Sequence, residues 1–371
     1  MKKKALSLVL ASAMVASLVG CGSSAETETP SAAETTTTEA AATEAAATEA
    51  ATTDNSDKKI AMITDSGDIT DESFNQITWE TCVAYGEANG IETQYYKPAE
   101  DTDEERINAV DLAVAEGATV VVMPGYLFGP AIAEEQDLYP DVTFIAVDVT
   151  EGDIVNLAGE NVALGSNVYI CSFQEEQAGY LAGYAAVKDG YTSLGFLGGI
   201  AVPAVIRYGF GYIQGINAAA EEMGVDVDVK YYYGGQFYGD ADITAYMDTW
   251  YGSKGVEVVF ACGGGIYTSA AEAAAKVDGK VIGVDSDQSG IIGEDITVTS
   301  AMKGLAPTVK TALDAIKDGS WESDYAGKID NLGLVSENPE DNYVQLPMET
   351  TQWDDNFTVD DYKDLVKKLY N

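Results

Sequence analysis

The chain has 371 residues, of which 61 are Asp or Glu, 20 are Lys or Arg and none is His, so its formal net charge is −41. A chain this negative is not expected to bind nucleic acid, or to bind anionic lipid through electrostatic attraction. The lack of histidine excludes Ser-His-Asp and Cys-His nucleophilic catalysis and the common zinc sites. Beyond residue 21 the cysteines are Cys82, Cys171 and Cys262, whose wide spacing predicts neither a disulfide framework nor a CxxC metal site.

The first 57 residues are predicted to be a targeting signal followed by a disordered tether. Three lysines precede the apolar stretch Ala5–Val19, which is too short to span a bilayer and ends in Leu-Val-Gly before Cys21. We therefore predict a lipoprotein signal peptide at 1–20, with cleavage before Cys21 and lipidation of that residue; an ordinary secretory signal is the alternative. Residues 21–57 would carry the lipid and a disordered Ala/Thr/Glu tether, which lacks aromatic residues to bury. The expected location is the extracytoplasmic face of a bacterial cell membrane.

The remaining residues alternate short apolar strands with helices, and the same order of elements occurs twice. In the first half, strands are predicted at 59–64, 92–96, 119–123 and 143–147, and helices at 73–89, 103–116 and 130–136. In the second half, strands are predicted at 193–197, 228–233, 257–261 and 280–284, and helices at 205–223, 242–251 and 267–276. Such alternation with short connections predicts an α/β fold with a parallel, doubly wound sheet in each half.

The repeat also predicts how the chain is divided. We expect a first lobe from 58–170 plus 297–330 and a second lobe from 171–296 plus 331–371, joined by a three-segment hinge. Open α/β sheets bind ligands at the carboxyl ends of their strands, so the two lobes should face each other across a cleft.

The segment Lys59–Glu80 joins a buried strand, a polar loop and an aromatic helix start. Phe74 and Asn75 fall in the first helical turn, at the carboxyl end of the strand, where a ligand is expected. Asn75 offers one acceptor and two donors, enough to read the edge of a base, and Asp65 could accept from the same ligand. For the aspartates of this loop, helix capping is the competing interpretation.

Four segments together resemble one family. They are 64–76 (Thr-Asp-Ser-Gly-Asp-x-x-Asp-x-Ser-Phe-Asn-Gln), 172–184, 282–288 (Ile-Gly-Val-Asp-Ser-Asp-Gln) and 299–303 (Thr-Ser-Ala-Met-Lys). This pattern resembles the basic membrane protein family, the lipoprotein substrate-binding components of ABC importers, and in particular its purine nucleoside receptor branch. The resemblance spans nearly all of residues 58–371.

The resemblance implies a type I periplasmic-binding-protein fold that closes on a nucleoside, with two aromatic rings around the base and with carboxylates and a lysine on the ribose. Phe74 aligns with the first ring, although its helical stripe also contains core positions. Tyr208 stands where the family commonly has a phenylalanine, so it is the first choice for the second ring.

The same resemblance assigns the polar contacts of the ribose. Asp285 follows a buried strand and could accept from both ribose hydroxyls. Lys303 would complement Asp285 and donate to the ligand, with a plain salt bridge as the alternative. Gly263 and Gly264, which open a predicted helix, could present backbone amides to ligand oxygens.

Together these features predict a monomeric, non-enzymatic receptor without cofactor, which binds adenosine, guanosine or inosine and delivers it to an ABC permease. A receptor for riboflavin, a sugar or another ribose-like solute is one alternative, and a sensory role is another. A nucleoside hydrolase is disfavoured because its calcium loop needs an Asp at the position of Ile63.

Overall fold

The computed structural model describes residues 58–371. The predicted signal peptide, the lipidation at Cys21 and the tether lie outside the described residues. Within residues 58–371, no helix combines the length and the apolar character that a bilayer crossing needs.

The first lobe is built on a six-stranded, fully parallel sheet in the order β11-β5-β4-β3-β1-β2. Its strands are β1 (Lys59–Ile63), β2 (Glu92–Tyr96), β3 (Val120–Pro124), β4 (Thr143–Val147), β5 (Val168–Phe173) and β11 (Ile329–Leu332). The inner strands are continuous runs of Val, Ile, Ala and Met because both of their faces are buried.

The second lobe repeats this plan in the order β12-β10-β9-β8-β6-β7, with only the short β12 antiparallel to its neighbour. The strands are β6 (Ser193–Gly198), β7 (Asp228–Tyr233), β8 (Val258–Cys262), β9 (Lys280–Asp285), β10 (Thr297–Lys303) and β12 (Val344–Gln345). The order of strands in the two sheets matches, as the internal repeat of the sequence predicted.

Helices cover both faces of each sheet because alternate strand residues point in opposite directions. In the first lobe they are α1 (Phe74–Asn89), α2 (Asp103–Ala115), α3 (Gly129–Glu135), α9 (Leu305–Asp318) and α10 (Trp321–Asp324). In the second lobe they are α4 (Glu175–Lys188), α5 (Pro203–Met223), α6 (Ala241–Gly252), α7 (Tyr267–Ala274), α8 (Ser289–Ile292) and α11 (Val359–Tyr370). In β1, Ile60 and Met62 pack with α1 and α9, whereas Ala61 and Ile63 pack with α2 and α3. The predicted doubly wound α/β fold is confirmed.

The points where the chain passes between lobes differ from the prediction. Strand β5 lies in the first sheet over its whole length, so the first crossing follows Phe173 rather than residue 170. Strand β10 pairs with β9 in the second sheet, so placing 297–303 in the first lobe was wrong. The buried run Thr297–Ala301 supplies an inner strand of the second sheet, and the chain returns at Gly304 to form α9.

The cysteines of the described part of the chain, Cys82, Cys171 and Cys262, are buried free thiols. Burial raises the pKa of each thiol above its ordinary value, to about 12 in Cys82. They are small core residues.

A buried carboxyl group in α3 predicts that stability falls as pH rises. Glu135 is 2% exposed, and its Oε2 has no partner among the described residues. Burial, reinforced by Asp111, raises the pKa of Glu135 to about 7, against about 4.3 in an unfolded chain. The folded state therefore holds the proton more tightly, so stability is lost as pH rises through this window and the loss is complete above it.

Replacing Glu135 with glutamine should remove this penalty. Glu135→Gln is expected to raise the free energy of unfolding at pH 8 by roughly 1 to 3 kcal/mol and to change it little at pH 4. Urea unfolding at the two pH values measures the difference, and Glu104→Gln, at an exposed position of α2, is the matched control. Equal effects of Glu135→Gln at both pH values would contradict the assignment.

Candidate functional site

Seven side chains from both lobes meet where the carboxyl ends of the two sheets face each other. We call this group the interlobe site; its members are Ser73, Phe74, Asp148, Glu175, Tyr208, Asp285 and Lys303. Each stands at the end of a strand or in an adjoining helix: Ser73 and Phe74 at the start of α1, Asp148 after β4, Glu175 in α4, Tyr208 in α5, Asp285 ending β9 and Lys303 ending β10. Of the predicted residues, the structure brings together Phe74, Tyr208, Asp285 and Lys303.

Lys303 is the centre of the site. Its ammonium forms an ion pair with Asp148 and lies 3.5 Å from Asp285 Oδ1 and 3.6 Å from Glu175 Oε1. The same Nζ lies 4.6 Å from the centroid of the Phe74 ring, at cation–π distance. Burial lowers the pKa of Lys303, but the three carboxylates outweigh it and the net shift is upward, so the side chain carries its charge at neutral pH.

The two aspartates that flank Lys303 share an uncommon backbone conformation. Asp148 has φ of 59° and Asp285 has φ of 65°, in the left-handed region that L-residues seldom occupy. The segments 144–148 and 281–285 correspond in the internal repeat, so the two lobes offer equivalent carboxylates to one lysine. Asp285 was predicted as a site residue and Asp148 was not, although the two occupy equivalent positions of the repeat.

Glu175 joins the interlobe site to α5. Its carboxyl group is fully buried and accepts from Arg207 Nε. Burial, followed by repulsion from Asp148, raises the pKa of Glu175, while Lys303 and Arg207 oppose the shift. Glu175 was not predicted as a site residue, and the acidic first turn of α4, directly after a chain crossing, was the signal available in the sequence.

Besides Lys303, two hydroxyl groups hold Asp285. Ser73 Oγ donates to its Oδ2 at 2.6 Å, and the Tyr208 hydroxyl lies 3.4 Å from its Oδ1. Ser73 itself is fully buried. Ser73 belongs to the first lobe and Asp285 to the second, so this hydrogen bond crosses between lobes. The sequence had suggested Ser73 only as the first residue of a predicted helix, and in the structure its hydroxyl makes no capping bond.

Asp65 lies in the loop after β1 and Asn75 in the first turn of α1, and their side chains are hydrogen-bonded to each other. Asn75 Nδ2 donates to Asp65 at 3.0 Å and to Asp71 at 3.1 Å, and Asn75 Oδ1 accepts from the amide of Asp65. Asp71 also accepts from the amides of Ser73, Asn75 and Gln76, and so caps α1. Burial raises the pKa of Asp65 to about 6, against the opposing bonds from Gly67 and Asn75. Both donors of Asn75 are thus engaged within this loop.

Gly263 and Gly264, which were predicted to offer amides to the ligand, lie against the aromatic residue Phe237. Both have positive φ, 139° and 52°. A Cβ on Gly263 would approach the Phe237 ring to 3.0 Å, and one on Gly264 would lie 2.9 Å from the Phe237 carbonyl. The glycines therefore make room for the loop between β7 and α6, and α7 begins only at Tyr267.

The predicted second ring and Phe237 differ in their surroundings. Tyr208 is 1% exposed and packs edge-on against Phe260, with centroids 5.8 Å apart. Phe237 is partly exposed at the carboxyl end of the second sheet, where it also covers Gly199. Sequence reasoning passed over Phe237, and its place in a Gly-rich loop after a strand was the available signal.

A family model described as "ABC transporter substrate-binding protein PnrA-like" (Bmp) matches residues 58–364. The chain belongs to the Bmp family. This Bmp protein is 28% identical over 285 residues to the "ABC transporter nucleoside-binding protein BmpA" of Lactococcus lactis, covering 72% of this chain and 77% of the relative. It is 27% identical over 283 residues to "Basic membrane protein B" of Borreliella afzelii, covering 74% and 78%.

Solved structures agree with the fold of this Bmp protein. An ABC transporter solute-binding protein from Aeropyrum pernix superimposes with a TM-score of 0.65 at 20% identity, over 84% of this chain and 85% of the other. One from Conexibacter woesei gives 0.64 at 24% identity, over 84% and 95%. The type I periplasmic-binding-protein fold is therefore confirmed.

Proposed function

We propose that this Bmp protein is an extracytoplasmic receptor, lipid-anchored at Cys21, that binds a purine nucleoside between its lobes and delivers it to an ABC permease. The observation that carries the proposal is the buried pair of Asp285 and Lys303 beside the Phe74 ring, at the carboxyl ends of both sheets. A relative named as a nucleoside-binding protein supports the choice of ligand.

The chemistry of these three residues suits a nucleoside. A carboxylate accepts from neighbouring hydroxyl groups, as a ribose diol requires, and an ammonium donates to hydroxyl or ring-nitrogen acceptors. An aromatic face next to them gains from stacking with a flat base, by about 1 kcal/mol beyond burial of its area. For a base to stack on Phe74, the ammonium of Lys303 must move away from the face of that ring. The three carboxylates that surround Lys303 offer positions that keep the ammonium inside the site.

The two lobes supply a mechanism for capture. In an open form each lobe exposes half of the site, and a ligand that touches both halves stabilises the closed form by its differential affinity. The permease would then recognise the closed shape, and no covalent bond is made or broken.

Calorimetric titration of the full chain with inosine, adenosine, guanosine, uridine, riboflavin and ribose tests the proposal. Binding of purine nucleosides at micromolar affinity or tighter is expected. Binding of riboflavin or ribose alone would keep the receptor role and refute the base-stacking site. Binding of none would refute the ligand class, and release of free base from inosine would refute a purely binding role.

Phe237 is a second candidate for the ring opposite Phe74, besides Tyr208, because it is partly exposed at the same end of the sheet. Phe237→Ala is expected to weaken inosine binding by about 1 to 3 kcal/mol, a typical value for the loss of one stacked ring. The neighbouring exposed aromatic gives a matched control, Tyr238→Ala, which should leave the affinity unchanged. If Phe237→Ala has no effect while Tyr208→Ala abolishes binding, the ring is Tyr208.

A further inference from the structure

Two hydrogen bonds join the lobes at adjacent positions. Ser73 Oγ donates to Asp285 Oδ2 at 2.6 Å, and Gln288 Nε2 donates to the backbone carbonyl of Glu72 at 3.0 Å. The first-lobe partners are residues 72 and 73, and the second-lobe partners are residues 285 and 288, so the partners on each side are close in sequence. Ser73 and Gln288 are fully buried, and Asp285 is 6% exposed. These bonds therefore exist only when the two lobes are in contact.

The backbone on both sides is held in an uncommon conformation. Glu72 has φ of 52° and Asp285 has φ of 65°. A non-glycine residue in this region costs free energy and persists where the surrounding contacts compensate for it, as often occurs at functional sites. The acceptor groups of both interlobe bonds thus belong to residues with unfavourable φ values.

The two oxygens of Asp285 are held unequally. Oδ2 receives the short bond from Ser73, whereas the nearest contacts of Oδ1 are the Tyr208 hydroxyl at 3.4 Å and Lys303 Nζ at 3.5 Å. These distances are longer than those of a well-formed hydrogen bond to oxygen. Oδ1 is therefore the oxygen with capacity to accept from a ligand, and Ser73 does not compete with a ligand for it.

Gln288 holds its side chain in place from within the second lobe. The side-chain oxygen Oε1 of Gln288 accepts from the backbone amide of Val284 at 2.9 Å. The backbone amide of Gln288 donates to Ser300 Oγ at 3.1 Å. Both of these bonds lie within the second lobe, and together they orient the Nε2 donor toward the lobe boundary. The second lobe contributes a fixed donor, and the first lobe contributes the acceptor.

We infer that Ser73 is a positioning residue for ligand capture, which locks the closed lobes by binding Asp285 Oδ2 and leaves Oδ1 to the solute; Gln288 adds a second bond to the same lock. The inference rests on the proposed function in that Asp285 is taken to contact the ligand. Affinity then depends on Ser73 through the population of the closed form, because the apparent dissociation constant rises as the binding-competent fraction falls.

The test compares Ser73→Ala with the wild-type full chain by hydrogen–deuterium exchange without ligand and by inosine calorimetry. Ser73→Ala should speed exchange in peptides covering 64–76 and 284–290 and should weaken inosine binding about ten- to hundredfold, the usual effect of losing a hydrogen bond to a charged group. Ser73→Thr keeps the hydroxyl and should restore both properties. Ser269→Ala removes a buried serine whose bonds lie within the second lobe and should change neither.

A second variant keeps the test decisive if Ser73→Ala does not fold. Gln288→Glu retains the acceptor for the Val284 amide and loses the donor to Glu72, so the same two peptides should exchange faster. Unchanged exchange in both variants overturns the lock, whatever inosine does. Faster exchange with unchanged inosine affinity overturns the positioning role. Failure of the wild-type protein to bind any nucleoside would instead count against the proposed function, since exchange in the ligand-free protein still decides the lock.

Discussion

Asp285→Asn is expected to weaken nucleoside binding by about 2 to 5 kcal/mol, the cost of losing one charged partner in a buried hydrogen-bonded site. The substitution keeps the size of the side chain and removes the charge that accepts from ribose hydroxyls. It also removes one of three carboxylates around Lys303, which leaves that ammonium paired with Asp148. The loss should therefore fall mainly on binding, and calorimetric titration with inosine measures it.

The chain supplies a close control two residues away. Asp287 is exposed, accepts from the amide of Ser289 at 3.0 Å and also accepts from Thr350 Oγ1. Asp287→Asn should leave inosine affinity unchanged. A change of less than threefold in Asp285→Asn would show that the ligand does not use this carboxylate.

Lys303→Met is expected to lower the free energy of unfolding at pH 7 by about 3 to 5 kcal/mol. The variant leaves Asp148, Glu175 and Asp285 facing one another without their common cation, and breaking a buried ion pair on one side has costs of this size. Urea unfolding monitored by circular dichroism gives the value. Lys310→Met, at an exposed pair with Asp314, should cost about 0.5 kcal/mol or less.

The pH dependence of this variant distinguishes charge from packing. The pKa of Lys303 is raised in the folded state, so its stabilising contribution is complete below its unfolded value of about 10.4 and is lost as pH rises through the folded value. Without the cation, the facing carboxylates should hold protons more tightly, and Lys303→Met should be more stable at pH 5 than at pH 8. A loss of stability that is the same at both pH values would indicate packing alone.

Local patterns were sufficient to predict most of the fold. Buried runs such as Val120–Val122 and Val281–Val284 are strands in the structure because only an inner parallel strand buries both faces of such a run. The lobe to which β10 belongs could not be predicted in this way. Its sequence suits an inner strand of either sheet, and pairing with β9 is decided by tertiary contacts.

Residues of the candidate site were predictable from the sequence where they lie at the carboxyl end of a predicted strand. Phe74 and Asp285 were selected from such positions together with the family resemblance, and Lys303 from the resemblance alone; the structure places the three side by side. Ser73 and Asp148 were not selected because their roles depend on partners 212 and 155 residues away in the chain. A local sequence pattern does not show contacts between residues so far apart in the chain.

The buried thiols bear on how the folded chain responds to oxidants and reductants. Thiol oxidation and disulfide exchange proceed through the exposed thiolate, and burial suppresses that form in Cys82, Cys171 and Cys262. The part of the chain that the structure describes thus contains no disulfide for an oxidising catalyst to form, and its three thiols are shielded from peroxide and from foreign thiols. The stability of residues 58–371 is therefore expected to be the same with and without a thiol reductant.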